Sequence, residues 1–233
     1  MKGSISSIET LTSVDGPGIR TIVFLSGCKK RCLYCHNPEM FTLTKPNYEA
    51  SDLVKRIIRY KNYFKRGGGV TFSGGEPLLQ TNFLLEVCKK LKQENIHIAI
   101  DTAGDYIGNI EELLKYVDLV ILDIKHVTKT GYKYITKTDI NNVSKFIKIL
   151  NKSGKDVYLR QVIVPGIHDN LNYLKKLKKY IKNIKNVKNI TFIPYHKLGI
   201  EKYLELNLNY PLLNTKEMDK EECDKLFYEF LNL

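Results

Sequence analysis

Cys28, Cys32 and Cys35 fall within eight positions, in the run Gly-Cys-Lys-Lys-Arg-Cys-Leu-Tyr-Cys-His over residues 27–36, and the next cysteine is Cys88. The spacing is C-x3-C-x2-C, three thiols without a fourth. A structural zinc site closes with four ligands, and an ordinary iron–sulfur cluster takes four cysteines. A 4Fe–4S cubane held by three cysteines leaves one iron without a protein ligand, open to a substrate. The competing reading is a zinc knuckle of Cys28, Cys32, Cys35 and His36. It requires the adjacent Cys35 and His36 to bind the same small tetrahedral ion.

Other chemistry-bearing residues follow strand-like runs. Ser73-Gly-Gly-Glu-Pro77 ends one such run, and its two glycines permit close backbone approach to a ligand. Asp101-Thr102, Asp123-Ile124-Lys125 and Pro194-Tyr-His196 end three others. The alternative for each strand-end aspartate is to cap the helix that follows. Arg160 interrupts an otherwise apolar strand, so it is expected to face the interior and pair with a carboxylate or a peptide. Asp15-Gly-Pro-Gly18 reads as a turn.

The elements that must position these residues alternate. Strands are expected over Arg20–Ser26, Gly69–Phe72, His97–Asp101, Leu119–Ile124, Val157–Val164 and Asn189–Ile193. Helices are expected from about Ser51 as N-cap, then over Thr81–Asn95, Asn109–Tyr116, Asn141–Asn151, the Lys175–Lys188 region and Lys216–Leu231. Six βα units imply an α/β fold with a parallel sheet, either open and doubly wound or curled into a partial barrel. In both, active sites sit at the carboxyl ends of the strands. No linker or repeat interrupts the array, so residues 1–233 are expected to form a single domain.

Composition narrows the class. The chain has 233 residues, 43% of them hydrophobic, with no apolar run of membrane-spanning length and no signal-peptide-like start. A cytoplasmic protein is expected. Five cysteines, three of them clustered, indicate metal or redox use and not a disulfide framework. Cys88 and Cys223 read as small helix residues facing the core. The net charge of +12 rests on 31 Lys and only six Arg. Its densest run interleaves with Leu171, Leu174, Leu177, Ile181 and Ile184 at helical spacing, which makes those lysines a solvated helix face. Nucleic acid is therefore not expected as a partner. A basic surface suits an acidic protein such as a small electron carrier.

Taken together the motifs carry a resemblance. Residues 8–20 (Ile-Glu-Thr-Leu-Thr-Ser-Val-Asp-Gly-Pro-Gly-Ile-Arg), Phe24–Cys28, Tyr34–Asn37, Gly67–Glu76, Asp101-Thr102, Leu122–Lys125, Val162–Gly166 and Pro194–His196 are similar to radical S-adenosylmethionine enzymes, specifically the glycyl-radical-enzyme activases. The resemblance spans nearly the whole chain and implies a radical-S-adenosylmethionine partial (β/α)6 barrel of parallel strands, with an N-terminal cluster loop and a C-terminal helix. It implies one 4Fe–4S cluster on Cys28, Cys32 and Cys35, with S-adenosylmethionine chelated to the fourth iron. Reductive cleavage would give a 5′-deoxyadenosyl radical that takes a hydrogen atom from a glycine of a partner protein.

By the same resemblance Tyr34, Cys35, His36, Gly74, Gly75, Glu76, Asp123, Ile124, Lys125 and His196 contact S-adenosylmethionine, with Gly74, Gly75 and Glu76 at its methionyl amine. Asp101, Thr102 and Asp123 match a site for a monovalent cation, Na+ or K+. Asp15, His36 and Arg160 are expected near the substrate peptide, and Asp15 counts among the catalytic positions with the three cysteines. The absence of further cysteines between Asn37 and Cys88 favours pyruvate formate-lyase as the glycyl-radical partner, with flavodoxin or ferredoxin as electron donor and a monomeric oxidoreductase. The alternatives are activation of another glycyl-radical enzyme, or radical modification of a small molecule or a tRNA base.

Overall fold

The structure is a computed structural model that describes residues 1–65 and 67–233. Near the N-terminus lie β1 (Lys2–Gly3), β2 (Ile5–Thr12) and β3 (Arg20–Leu25), then β4 (Tyr48–Glu49) and α1 (Ala50–Ile58). The chain continues through β5 (Gly69–Gly74), α2 (Thr81–Gln93), β6 (His97–Thr102), α3 (Ile110–Leu114), β7 (Leu119–Asp123), α4 (Lys129–Thr136) and α5 (Asn141–Ser153). It ends with β8 (Asp156–Ile163), α6 (Leu171–Ile181), β9 (Val187–Pro194), α7 (Ile200–Glu205) and α8 (Lys220–Asn232).

A seven-stranded sheet runs in the order β2-β3-β5-β6-β7-β8-β9, and β1 pairs separately with β4. Within the larger sheet β3, β5, β6, β7, β8 and β9 are mutually parallel, and β2 adds an antiparallel edge. Because the parallel strands lie in chain order, the sheet has no reversal point of the doubly wound kind. The winding is that of a partial barrel. Side chains from all six parallel strands line one cavity, so the sheet curls around it.

The two faces differ as the period of two requires. The outer face packs under the helices: Val143, Phe146, Ile147 and Leu150 of α5, and Leu174, Leu177 and Ile181 of α6, join the buried apolar cluster. Each such fully buried side chain contributes about 1.5–3 kcal/mol relative to exposure. On the inner face Ala99, Leu119 and Ile121 form a small separate cluster with Tyr158 against it. Two residues further along the same strands stand Asp101, Asp123 and Arg160. The interior thus has an apolar floor and a charged mouth.

Several boundaries differ from expectation. α1 starts at Ala50 with Glu49 at the cap position, and Ser51 lies exposed within the first turn. α8 starts at Lys220, where the Asp219 carboxylate accepts from the amides of Glu221 and Glu222. That side-chain cap stabilises a start there over one at Lys216. The antiparallel β2 and the helices α4 and α7 were not foreseen. The sequence of α4 carries Gly131 and β-branched residues, which weaken a helical reading. Gly131 is there because a Cβ would fall 1.9 Å from the His126 ring, and Thr128 caps the helix by accepting from the Gly131 amide. No helix among the described residues is long and apolar enough to cross a membrane.

Candidate active site

The cavity at the carboxyl ends of the strands measures about 320 Å³ and is lined by Cys28, Cys32 and Cys35 together with Asp15, Tyr34, His36, Gly74, Gly75, Asp101, Thr102, Asp123, Lys125, Arg160 and His196. Motifs scattered over most of the chain therefore meet in one place. A larger, more open depression of about 630 Å³ lies along α4, lined by Lys129, Lys133 and Lys137 among others. It has no cysteine, histidine or carboxylate pair and is a solvated basic groove.

The cysteine loop is suspended from its surroundings by main-chain bonds. Gly27 and Cys28 donate to the carbonyls of Met40 and Phe41, and Arg31 and Leu33 donate to Thr136 and Ile135. The last carbonyls of α4, which a helix cannot satisfy internally, are what hold the loop in place. From the other side the Gly75 amide donates to Leu25 (2.9 Å) and the Glu76 amide to Gly27 (2.9 Å). A Cβ on Gly74 would fall 2.2 Å from the Leu25 carbonyl oxygen, and one on Gly75 2.5 Å from that of Gly27. The two glycines permit the strand-end turn to lie against the loop.

Burial pushes the Cys28 thiol up to about 11 and the Cys35 thiol to about 12, and raises Cys32 as well. Such thiols ionise near neutrality only against a metal. Among the described residues no three His, Cys, Asp or Glu side chains stand close enough to hold a single ion. His36 is engaged elsewhere: its Nε2 lies 3.1 Å from the His196 carbonyl and its ring stacks on His196 with centroids 4.1 Å apart. The donor set does not fit a Cys3His zinc ion. Three thiols of one loop lining a shared cavity fit a 4Fe–4S cluster, which Cys28, Cys32 and Cys35 would hold.

Across the cavity Arg160 sits between three carboxylates. Its Nε donates to Asp123 Oδ1 (2.9 Å), Nη1 to Asp15 Oδ1 (2.6 Å) and Nη2 to Asp101 Oδ1. Burial opposes the Arg160 charge, but Asp123, Asp101 and Asp15 outweigh it and raise its pKa. Burial likewise opposes the Asp123 carboxylate, yet Arg160 and Lys125 bring it down to about 2. At Asp101 burial prevails over Arg160, and the carboxyl rises to about 6. Lys125 Nζ donates to Asp123 Oδ2 (2.9 Å) and lies 5.6 Å from the Tyr34 ring centroid.

Three expected positions are placed differently. The positive charge between Asp101 and Asp123, expected from a Na+ or K+ ion, is the Arg160 guanidinium. Thr102 is turned from that pair, and its Oγ1 donates to Glu76 Oε1 (2.5 Å). The Glu76 carboxylate, expected at the methionyl amine, points into the protein. It accepts from Leu78, Ala103 and Asp105 amides as well, and burial raises its pKa despite Lys30 and these donors. Ile124 buries its side chain in the core, and its amide donates to the Arg160 carbonyl. Neither Glu76 nor Ile124 is among the residues that line the cavity.

Tyr34 is buried in the wall, and its Oη has no hydrogen-bond partner among the described residues. Two contributors escaped the sequence. Ser73 Oγ donates to Asp101 Oδ2 (2.8 Å), and its place before the double glycine was the available signal. Asp105, paired with Lys30 at 3.3 Å, left none.

Residues 22–181 match the Radical SAM superfamily. The chain is 50% identical over 226 residues to a pyruvate formate-lyase-activating enzyme of Clostridium pasteurianum, covering 96% of this chain and 95% of that one. It is 39% identical to the enzyme of the same name from Staphylococcus epidermidis, over 100% of this chain and 96% of the relative. Among solved structures, Streptococcus suis SuiB bound to its precursor peptide superposes with a TM-score of 0.69 at 17% identity, over 91% of this chain and 44% of SuiB. Escherichia coli QueE gives 0.56 at 16% identity, over 89% and 92%. The structural likenesses concern the fold.

Proposed function

This chain belongs to the radical S-adenosylmethionine superfamily and, within it, to the pyruvate formate-lyase-activating enzymes, and from that premise we propose that it is the oxidoreductase that installs a glycyl radical on pyruvate formate-lyase. The observation that carries the reading is the meeting of Cys28, Cys32 and Cys35 with the strand-end carboxylates and glycines in one cavity. A 4Fe–4S cluster and S-adenosylmethionine, when bound, supply one electron to a sulfonium, release methionine and 5′-deoxyadenosine, and remove one hydrogen atom from glycine.

The chain's own residues supply position and shielding. Cys28, Cys32 and Cys35 hold the cluster on a loop fixed by α4 and the Gly74-Gly75 turn. The main chain at Gly74 and Gly75 receives the methionyl amine. Lys125, oriented by Asp123 and lining the cavity, meets the methionyl carboxylate. His36 and His196, stacked at the rim, and the unpartnered Tyr34 hydroxyl bound the nucleoside end. Asp15 and Arg160, joined across the mouth, meet the glycine-bearing loop, whose main-chain groups compete for their hydrogen bonds. Asp101 and Asp123 keep a cation between them, which is Arg160 in this conformation and a Na+ or K+ ion once Arg160 turns to the peptide.

The protein acts as a single-domain cytoplasmic monomer that receives its electron from a small acidic carrier, flavodoxin or ferredoxin, which suits its net charge of +12. The test is anaerobic incubation of the iron-loaded protein with reductant, S-adenosylmethionine and a panel of glycyl-radical enzymes, read by electron paramagnetic resonance. A glycyl doublet on pyruvate formate-lyase is the expected result. A doublet only on another panel member would reassign the partner, and loss of iron from every preparation would remove the enzyme reading.

A further inference from the structure

Lys30 lies between two of the cysteines, yet its side chain is only 2% exposed, while its neighbours Lys29 and Arg31 face solvent. Its ammonium stands 3.3 Å from Asp105 Oδ2 and 3.9 Å from Glu76 Oε2 and makes no hydrogen bond among the described residues. It also lines the cavity that holds Cys28 and Cys32. Burying an ammonium costs several kcal/mol even when it is paired, so a buried lysine with donors to spare at this point calls for a compensating gain.

The carboxylate side of the pair is built to stay put. Glu76 is fixed by Thr102 Oγ1 and by the amides of Leu78, Ala103 and Asp105, and Asp105 Oδ1 accepts from Asn142 Nδ2 (2.6 Å). Glu76 and Asp105 form an anionic shelf on the β5 and β6 strand ends, and Lys30 is the side chain by which the cysteine loop rests on it. Lys30 follows Cys28 by two residues and lines the same cavity as Cys28 and Cys32, so the strut places its charge beside the sulfurs. Hydrogen bonds and net charge near the sulfurs are among the factors that set an iron–sulfur potential.

Resting on the cluster reading of Cys28, Cys32 and Cys35, we propose that Lys30 is a positioning residue that seats the cysteine loop on Asp105 and Glu76 and holds a fixed positive charge against the cluster, favouring its reduced state. The charge balance gives opposite signs to the two partners. Removing Lys30 leaves the shelf's negative charge uncompensated and disfavours reduction. Removing the charge of Asp105 leaves Lys30 in relative excess and favours it.

The experiment compares wild type, Lys30→Met, Asp105→Asn and the double variant, each loaded anaerobically with iron and sulfide and titrated against reductant while electron paramagnetic resonance reports the reduced cluster. Iron is counted in every sample. Lys30→Met is expected to lower the reduction equilibrium constant about tenfold, which is 59 mV for a one-electron couple. Asp105→Asn is expected to raise it by three-fold or more, and the double variant to return toward wild type. If Lys30→Met loses its iron, the Asp105→Asn shift still decides. Shifts of the same sign in both single variants, or both within twofold of wild type, would overturn the proposal. A wild type that holds no cluster overturns the underlying reading instead, and with it the proposal.

Discussion

Two arginines, Arg20 fully buried and Arg160 partly exposed, stand toward opposite ends of the strands, and their partners differ in kind. Arg20, at the start of β3, is fully buried and donates to the carbonyls of Pro17, Gly67 and Val70 and to Thr71 Oγ1, with His97 Nδ1 at 3.3 Å. Arg160 donates to three carboxylates that line the cavity. Burial lowers the Arg20 pKa to about 10, whereas Arg160 is raised by its three neighbours. A guanidinium bonded to main-chain carbonyls is part of the scaffold, because its partners have nowhere else to go. One bonded to side-chain carboxylates at the edge of a cavity can exchange partners when a ligand brings its own. The floor fixes the loop that carries Asp15, since Thr71 Oγ1 also donates to the Asp15 carbonyl (2.7 Å). The mouth uses that loop.

The largest effect should come from breaking the floor. Arg20→Met strands several buried acceptors, at about 1–3 kcal/mol each, so a stability loss of at least about 3 kcal/mol and a melting point lower by roughly 10 °C are expected in a thermal melt. A variant that melts within a few degrees of wild type would erase the distinction between the two ends.

Next in size is a pH effect at the mouth. The Asp101 carboxyl, at about 6 when folded, lies above its unfolded value of about 3.9. The folded state therefore binds the extra proton between those values. Stability relative to Asp101→Asn should fall by about 2 kcal/mol as pH rises from 4 to 6 and level off above 7. Asp123, lowered to about 2, has the opposite sign, and its contribution disappears only as pH falls from about 4 toward 2. Chemical denaturation across this range checks both, and a rising difference between pH 4 and 6 would reverse the assignment of Asp101.

Arg160→Met should cost less in stability than Arg20→Met, about 1–2 kcal/mol, because the freed carboxylates reach the cavity. It should nevertheless slow activation of the glycine partner at least a hundredfold, measured as spin per enzyme over time. Smallest of all, Asp15→Asn should change stability by under about 1 kcal/mol and raise the KM for a glycine-loop peptide about tenfold. An unchanged KM would detach Asp15 from the peptide.

The same contrast explains what could be read in advance. Strand ends were legible because β-branched runs stop at polar or glycine motifs, and the six parallel strands were found with small boundary shifts. The inward direction of Arg160 was legible because it interrupts an otherwise apolar strand, whereas that of Asp101 and Asp123 shows only once their strands are seen to continue from Ala99 and Ile121 on the inner face. Pairing was not legible. That Glu76 turns inward to Thr102 and the amides of Ala103 and Asp105, or that Lys30 finds Asp105, depends on how β5 and β6 abut, which no local pattern encodes. The helix α4 was missed for a related reason. Its sequence is a weak helix former, and its terminal carbonyls gain their partners from the cysteine loop, distant in the chain.

On the proposed function the cavity at the mouth carries the chemistry through Cys28, Cys32 and Cys35 and an open iron. That claim is tested most directly by reducing the iron-loaded protein anaerobically with S-adenosylmethionine and pyruvate formate-lyase and quantifying the glycyl radical, beside Cys32→Ala prepared identically. Wild type should bind about four irons and give the doublet, and Cys32→Ala should give neither intact cluster nor radical. A doublet of equal size from Cys32→Ala, or none from wild type carrying its full cluster, would contradict the account.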